Sequence, residues 1–220
     1  DNDTTPNVTL AVANTPFDED AGQAQLTVEL TETSAADAVV KVEVLFDPAT
    51  PPSSPGLEVD TDFEFFPTLP ETTANVFEVA IPANTATSPS RTITLVGLPD
   101  ELYEQDEDIV FQATEIKFGA GTFSTVAGTV TAQAQITDAE DPPTINLDVT
   151  PTAITEGVTP GSEVKVSLTA AAEVDMTFDL TLGAGTPAVA TGDFALSYGA
   201  GPTTTTALGT ISALTIPAGE

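Results

Sequence analysis

The 220-residue chain has no cysteine, no histidine and no tryptophan, and only four of its residues are lysine or arginine. Without thiols or imidazoles it cannot use cysteine- or histidine-based nucleophilic catalysis, a Ser-His-Asp triad, or zinc bound through those ligands. Four basic residues are too few to contact a phosphate backbone, so we expect no nucleic-acid binding. The same shortage argues against anionic membrane surfaces.

Long apolar runs are also missing. No stretch of about 18 apolar residues is present, so we expect no membrane insertion by this segment. The chain does not begin with a signal peptide, and we interpret it as an excerpt from a longer polypeptide.

Motifs typical of enzymes are absent as well. The chain has no phosphate-binding glycine loop and no Gly-x-Ser-x-Gly elbow. With two tyrosines and no tryptophan, an aromatic cleft for cleaving sugars is not expected. The sequence therefore predicts a protein that is not an enzyme.

Acidic residues are abundant instead. There are 34 of them, for a formal net charge of −30, yet the chain is 40% hydrophobic, which is enough for a folded core. Six carboxylates fall within residues 100–108, between two apolar strand patterns. Charges of one sign held this close repel strongly unless a counter-charge is present. A hard divalent cation with oxygen ligands can supply that counter-charge, and we expect it to be Ca²⁺.

Apolar and polar residues alternate with a period of two in many segments. Residues 23–30, 40–44 and 130–136 place apolar side chains on one face and polar ones on the other. This pattern predicts half-buried antiparallel strands, and their turn-rich spacing favours a β-sandwich. Further strands are predicted near 90–97, 109–116 and 125–136.

The chain also repeats itself. Val8, Leu10 and Val12 match Ile145, Leu147 and Val149 at an offset of 137 positions, and Glu19 matches Glu156 at the same offset. Fixed-period similarity marks a tandem array. We predict that residues 1–5 are the tail of a preceding module, 6–141 a complete module, and 142–220 the N-terminal part of a second, with the chain continuing beyond Glu220.

Four motifs in 6–141 together resemble the Calx-beta family of calcium-binding modules, found in sodium-calcium exchangers and large extracellular proteins. They are a Glu19-Asp20-Ala21-Gly22 turn, an Asp62-Phe63 pair, an Asp-x-x-x-Glu-x-x-Glu connection, and an acidic run after the last strand. The resemblance implies all-β, immunoglobulin-like antiparallel sandwiches of about seven strands in tandem, with the second incomplete.

The resemblance also implies a calcium site at one end of the sandwich, next to the following module. Pro99 and Ala139 depart from the family's acidic pattern, so we expect one or two ions rather than a full cluster. Two further acids in the second module would belong to another site. The predicted metal ligands are Glu19, Asp62, Asp100, Glu104, Glu107, Asp138, Glu156 and Asp193.

These observations together predict a structural repeat of a large secreted or surface-displayed bacterial protein, such as an adhesin stalk or extracellular filament. Calcium would stiffen the module and its junction to the next. The expected partners are neighbouring modules of the same chain and, in a filament, other copies of the protein. Two alternatives stay open: a calcium-sensing regulatory module, and a carbohydrate- or protein-binding adhesive module.

Overall fold

Every regular element in the described part of the chain is a β-strand, which confirms the all-β prediction. The computed structural model describes residues 6–46, 62–150, 163–181, 196–198, 203–205 and 210–219. The chain divides into two units, Asp1–Asp141 (unit 1) and Pro142–Glu220 (unit 2). No helix in these described ranges is long and apolar enough to cross a membrane.

Unit 1 is an antiparallel sandwich of two sheets. One sheet has the strand order β1-β3-β8-β5 and the other has the order β2-β10-β9-β4-β7-β6. All neighbours are antiparallel except β2 and β10, which run parallel. The strands are β1 (Val8–Ala13), β2 (Phe17–Asp18), β3 (Gln23–Leu30), β4 (Ala38–Phe46), β5 (Phe63–Phe66), β6 (Glu71–Thr73), β7 (Val76–Ile81), β8 (Ser90–Gly97), β9 (Glu107–Phe118) and β10 (Ser124–Thr137).

Ten strands exceed the seven or so expected, partly because the first strand is divided between the sheets. Asn14, at φ 60°, turns the chain between β1 and β2. Asparagine tolerates this left-handed conformation better than most residues. The turn carries the chain from one sheet to the other, so β1 pairs with β3 whereas β2 pairs with β10.

The core lies between the sheets and follows the predicted alternation. Ala24, Leu26, Val28 and Leu30 of β3 are all fully buried, as are Ile93 and Leu95 of β8. Phe65 packs against Phe63, Phe77 and Phe111, with its ring centroid 4.7 Å from that of Phe77. Phe66, the next residue, is 68% exposed because successive strand residues face opposite sides of the sheet.

The described strands of unit 2 form three two-stranded antiparallel sheets, β11-β12, β13-β16 and β14-β15. Their bounds are β11 (Ile145–Thr150), β12 (Glu163–Leu168), β13 (Met176–Thr181), β14 (Leu196–Tyr198), β15 (Thr203–Thr205) and β16 (Thr210–Ile216). The first two sheets resemble the strand pairs β1-β3 and β4-β7 of unit 1. Ile145 pairs with Leu168 as Val8 pairs with Leu30, at offsets of 137 and 138 positions.

The adjacent residues Phe65 and Phe66 of β5, one buried and one exposed, provide a test of the core. We expect Phe65→Ala to lower the free energy of unfolding of unit 1 by about 3–5 kcal/mol, because it removes a buried ring and leaves a cavity. Phe66→Ala, in the same strand, is the matched control and should cost less than about 1 kcal/mol. Urea unfolding of both variants measures the difference. Equal losses would contradict this assignment of the core.

Candidate metal site

The strand ends bring several acidic segments to one end of unit 1. β2 and β10 end side by side, and β9 begins opposite the end of β10, with Glu107 paired to Ile136. In the other sheet β3 begins beside the end of β8, and β5 begins there too, with Phe63 paired to Gly97. The connections 18–22, 98–106 and 138–141 therefore leave the sandwich together. We call them the acidic end.

Two glycines allow the backbones at the acidic end to approach closely. A Cβ on Gly97 would lie 2.4 Å from the carbonyl oxygen of Glu19, and one on Gly22 would lie 2.2 Å from the backbone nitrogen of Asp18. Neither position has room for a side chain. The amide of Gly97 donates a hydrogen bond to the carbonyl of Gly22 (3.2 Å), which joins the end of β8 to the Glu19 turn.

Three carboxylates meet at this end: those of Glu19, Asp138 and Glu140. One oxygen of each lies within 4.8 Å of the others, and this is the only group of three or more acids so close within the described ranges. Glu19 follows β2, while Asp138 and Glu140 follow β10. The parallel pairing of these strands, extended by a hydrogen bond from the amide of Glu19 to the carbonyl of Thr137 (3.2 Å), brings the segments together.

Glu19 is the most enclosed member of this carboxylate group. It is only 3% exposed, and its Oε1 has no hydrogen-bond partner. Oε2 of Glu140 is likewise buried without one. A buried carboxylate with an unsatisfied oxygen is costly, and its usual partners are a cation or a donor group.

The electrostatics of the group follow from this enclosure. Burial, the hydrogen bond with Glu140 and the neighbouring charges of Asp138 and Glu140 raise the pKa of Glu19 from 4.5 to about 8. For Glu140, the hydrogen bond with Glu19 lowers the pKa, but burial and Asp138 outweigh it, so the net direction is upward. Without a cation, the group retains a proton that isolated carboxylates would lose.

The basic side chains of unit 1 are elsewhere. Lys117 is the penultimate residue of β9, far along the strand from Glu107, and Arg91 lies near the start of β8, away from Gly97. Lys41 forms an ion pair with Glu115, and the ammonium groups of Lys41 and Lys117 each lie 4.3 Å from the Phe123 ring centroid. Unit 1 has no other base. Its own side chains therefore provide no counter-charge at the acidic end.

The other predicted ligands are not members of this group of three carboxylates. Glu104 and Glu107 are buried, and the amide of Glu104 donates to Oδ2 of Asp138 (3.1 Å). Asp62 is half-buried and directly precedes β5. Asp100 is exposed, and its Oδ1 accepts a hydrogen bond from the amide of Leu102 (2.6 Å), which closes its own turn. Glu156 and Asp193 lie outside the described residues.

Glu140 is the one member of the carboxylate group that is not among the ligands predicted from the sequence. Ala139 interrupts the acidic run, and the sequence predicts fewer ligands for this reason. In the structure this segment forms a tight turn, in which the amide of Glu140 donates to Oδ1 of Asp138 (3.1 Å). Ala139 is exposed while its two acidic neighbours turn inward. The alternating Asp-Ala-Glu pattern directly after a strand was the available signal.

Comparisons with known proteins give distant likenesses to solved structures. No protein-family model matches the chain, and no curated protein matches it. The apo form of a Calx CBD1 domain is 14% identical with a TM-score of 0.37, covering 61% of this chain and 99% of that one. A cohesin module from a Clostridium perfringens family 33 glycoside hydrolase is 14% identical with a TM-score of 0.34, covering 62% and 99%.

A third solved structure, a chaperone–tip adhesin complex of CFA/I fimbriae, is 13% identical with a TM-score of 0.32, covering 96% of this chain and 84% of that one. The similarity to the Calx domain is a weak resemblance at the level of the fold. The chemistry of the site therefore depends on the residues of this chain.

Replacing Glu19 tests its raised pKa. In the absence of metal, unfolded Glu19 loses its proton near its ordinary value of 4.5, whereas folded Glu19 keeps it until about 8. The folded state then binds more protons between these values, so this residue's contribution to stability is present below about pH 4.5 and falls as pH rises toward 8. Glutamine does not titrate, so Glu19→Gln should lack this decline.

The measurement is urea unfolding in a metal chelator at several values between about pH 5 and pH 8. We expect wild-type stability, relative to Glu19→Gln, to fall by up to about 1.4 kcal/mol per pH unit. Exposed Glu101→Gln should keep the wild-type pH dependence. Parallel curves for wild type and Glu19→Gln would show that the pKa of Glu19 is not raised.

Proposed function

We propose that unit 1 is a calcium-binding structural module whose ion is held by Glu19, Asp138 and Glu140 at the acidic end. The observation that carries this proposal is the enclosed Glu19 carboxylate. Its Oε1 has no hydrogen-bond partner, two further carboxylates lie within 4.8 Å, and no basic residue of unit 1 is near. A cation from solution is the remaining source of counter-charge.

The donor set suits calcium. Ca²⁺ accepts six to eight oxygen ligands in flexible geometry, from carboxylates, backbone carbonyls and water. Three carboxylates supply part of that shell, and carbonyl groups or water would complete it. Mg²⁺ requires a nearly ideal octahedron and gives up its water reluctantly, so an irregular site of this kind favours the larger ion.

Binding would couple distant parts of the chain. Glu19 belongs to the turn between β2 and β3, whereas Asp138 and Glu140 follow the last strand of unit 1. These ligands come together only in the folded unit, so the binding free energy of the ion adds to folding stability. Segment 138–141 leads directly into Pro142 and Pro143, whose rings restrict φ. An ion held there would stiffen the path into unit 2.

This chemistry fits a repeat in a secreted or cell-surface protein, such as an adhesin stalk or filament. Extracellular calcium modules bind at roughly 0.1–1 mM, and three carboxylates from a partly protonated group suit weak binding. The internal repeat and the charge of −30 also suit a tandem array that works in calcium-containing fluid. We also propose that the protein belongs to a bacterial cell surface.

Calorimetric titration of CaCl₂ into the 220-residue chain tests the site. We expect binding at about 0.1–1 mM, weakened at least about tenfold by Glu19→Gln or Glu140→Gln, because each removes a charged ligand. Glu101→Gln removes the same charge from an exposed position of the same end and is the matched control. It should change the affinity by less than about twofold.

Other results would change the assignment. Equal effects of the three substitutions would mean that calcium only screens the acidic end. Micromolar affinity would favour the calcium-sensor alternative over a structural role. The absence of any binding heat, together with an unchanged melting temperature in calcium, would contradict the proposal.

A distance measurement between spin labels tests the stiffening. Because the chain has no cysteine, labels can be attached at Gln133→Cys in unit 1 and Thr177→Cys in unit 2, both exposed positions. We expect calcium to narrow the distance distribution between them, since the ion fixes segment 138–141. The same labels in a Glu140→Gln chain should show no narrowing at the same calcium concentration. A distribution that calcium leaves broad in the unsubstituted chain would contradict the stiffening.

A further inference from the structure

A cleft lies at the edge of unit 1, away from the acidic end. Its volume is about 340 Å³, at the small end of the range for ligand pockets. Its apolar lining includes Val39 of β4, Ala80 of β7, Pro82, and Leu69 and Pro70 from the segment between β5 and β6. β4 begins beside the end of β9, whereas the acidic end lies where β9 begins. We call this cavity the edge cleft.

The strand β7 leaves backbone groups unpaired along the edge cleft. The amide of Glu78 donates to the carbonyl of Pro70 (2.9 Å), on the side of β7 away from β4. Backbone groups two residues apart in a strand point the same way, so those of Ala80 also point away from β4. On that side β6 pairs with only the first two residues of β7. No described strand therefore pairs with Ala80 there, and its amide and carbonyl face the edge cleft.

Two opposite charges also line the edge cleft, those of Arg91 and Glu78. Alternate residues of a strand share a face, so Arg91 extends from the same face of β8 as the buried Ile93, toward the sheet that contains Glu78. Neither charged side chain forms an ion pair or a hydrogen bond with another residue in the described ranges. The edge cleft thus offers one cation and one anion, each free to bind a ligand.

We propose that the edge cleft binds a short apolar peptide with free termini. Arg91 would hold its carboxylate, because a guanidinium pairs with both oxygens of that group. Glu78 would hold its ammonium group, and the backbone of Ala80 would exchange hydrogen bonds with its peptide groups, as a strand edge does with an added strand. The apolar lining would contact its side chains.

Charge favours such a peptide over other small ligands. A peptide with both termini free has no net charge, so the −30 charge of the chain neither repels it nor draws it to the acidic end. A ligand with only a carboxylate would be repelled by Glu78 as well as by the whole chain. A cationic ligand would be attracted to the acidic end instead, where carboxylates are concentrated.

The length of the edge cleft limits the peptide to two or three residues. From Glu78 to Pro82 the chain advances about 13 Å if each residue adds about 3.3 Å. A fully extended tripeptide spans about 10 Å. Its first and third side chains share a face, so both can contact the apolar lining. A longer peptide would carry one terminus beyond the edge cleft and could not use both charges.

NMR titration of the 220-residue chain with the tripeptide Leu-Ala-Leu, in a metal chelator, tests the proposal. We expect saturable amide shift changes at residues 67–70, 78–82 and 91, with a Kd of about 0.1–1 mM. Acetylating the amino terminus or amidating the carboxyl terminus should each weaken binding at least about fivefold, because each change removes a charge that the edge cleft would pair.

Two substitutions show which terminus each charged residue holds. Arg91→Gln should weaken Leu-Ala-Leu at least about fivefold but change the affinity of the amidated peptide less than about twofold, since that peptide has no terminal carboxylate to lose. Glu78→Gln should act in the same way on the free and acetylated peptides. Lys165→Gln, at an exposed position of unit 2, removes a positive charge elsewhere and is the matched control for Arg91→Gln. It should leave all affinities unchanged.

A pair of alanine substitutions tests the cavity itself. Ala80→Phe fills the edge cleft and should weaken Leu-Ala-Leu at least about fivefold. Ala11→Phe makes the same change in β1, on the outer face of the four-stranded sheet, and should have no effect. Both alanines are exposed, so neither change should unfold unit 1. Circular dichroism checks this.

Three outcomes would overturn the proposal. The first is the absence of saturable shift changes at the edge cleft up to about 10 mM peptide. The second is an acetylated or amidated peptide that binds as tightly as the free one. The third is an equal effect of Ala80→Phe and Ala11→Phe. None of these outcomes bears on the calcium site, because its ligands lie at the acidic end and the titration contains no free calcium.

Discussion

Repulsion among carboxylates at the end of a sandwich is the constraint on which the rest of unit 1 depends. The antiparallel fold delivers several acidic connections to one end, while the three bases of the unit lie along strands elsewhere. The core holds this arrangement in place, because Glu19 is enclosed by close backbone approach at Gly22 and Gly97. Packing free energy thus maintains a concentration of negative charge, and a proton or a cation must compensate for it.

Much of the fold could be predicted from alternation alone. The buried positions of β3 and β8 follow the period-two pattern, because a sheet with one face in the core imposes it. The division of the first strand at Asn14 could not be predicted, since it depends on one backbone conformation. At the site, Glu19 and Asp138 were predicted as ligands and are brought together, whereas Glu140 depends on a turn that has no periodic signal.

The internal repeat separates local from tertiary determinants of structure. Matching sequences produce the same strand pairing and the same hydrogen bonds at the strand ends in both units, so these strand pairs are specified by their own sequences. Burial, by contrast, differs between the units. Val8 and Ile145 occupy equivalent positions, yet one is enclosed and the other is exposed, because enclosure of Val8 requires strands that come much later in unit 1. Sequence pattern therefore identifies which face is apolar but not what covers it.

The parallel pairing of β2 with β10 has a mechanical consequence. The chain enters unit 1 at the end opposite Glu19 and leaves it at the acidic end, so tension on its termini pulls β2 and β10 in opposite directions along their length. Hydrogen bonds between such strands are loaded in shear and resist together, rather than peeling apart one by one. Glu19 and Asp138 directly follow the two sheared strands. In the proposed calcium-bound state, the ion would join the ends of these two strands as a reversible crosslink.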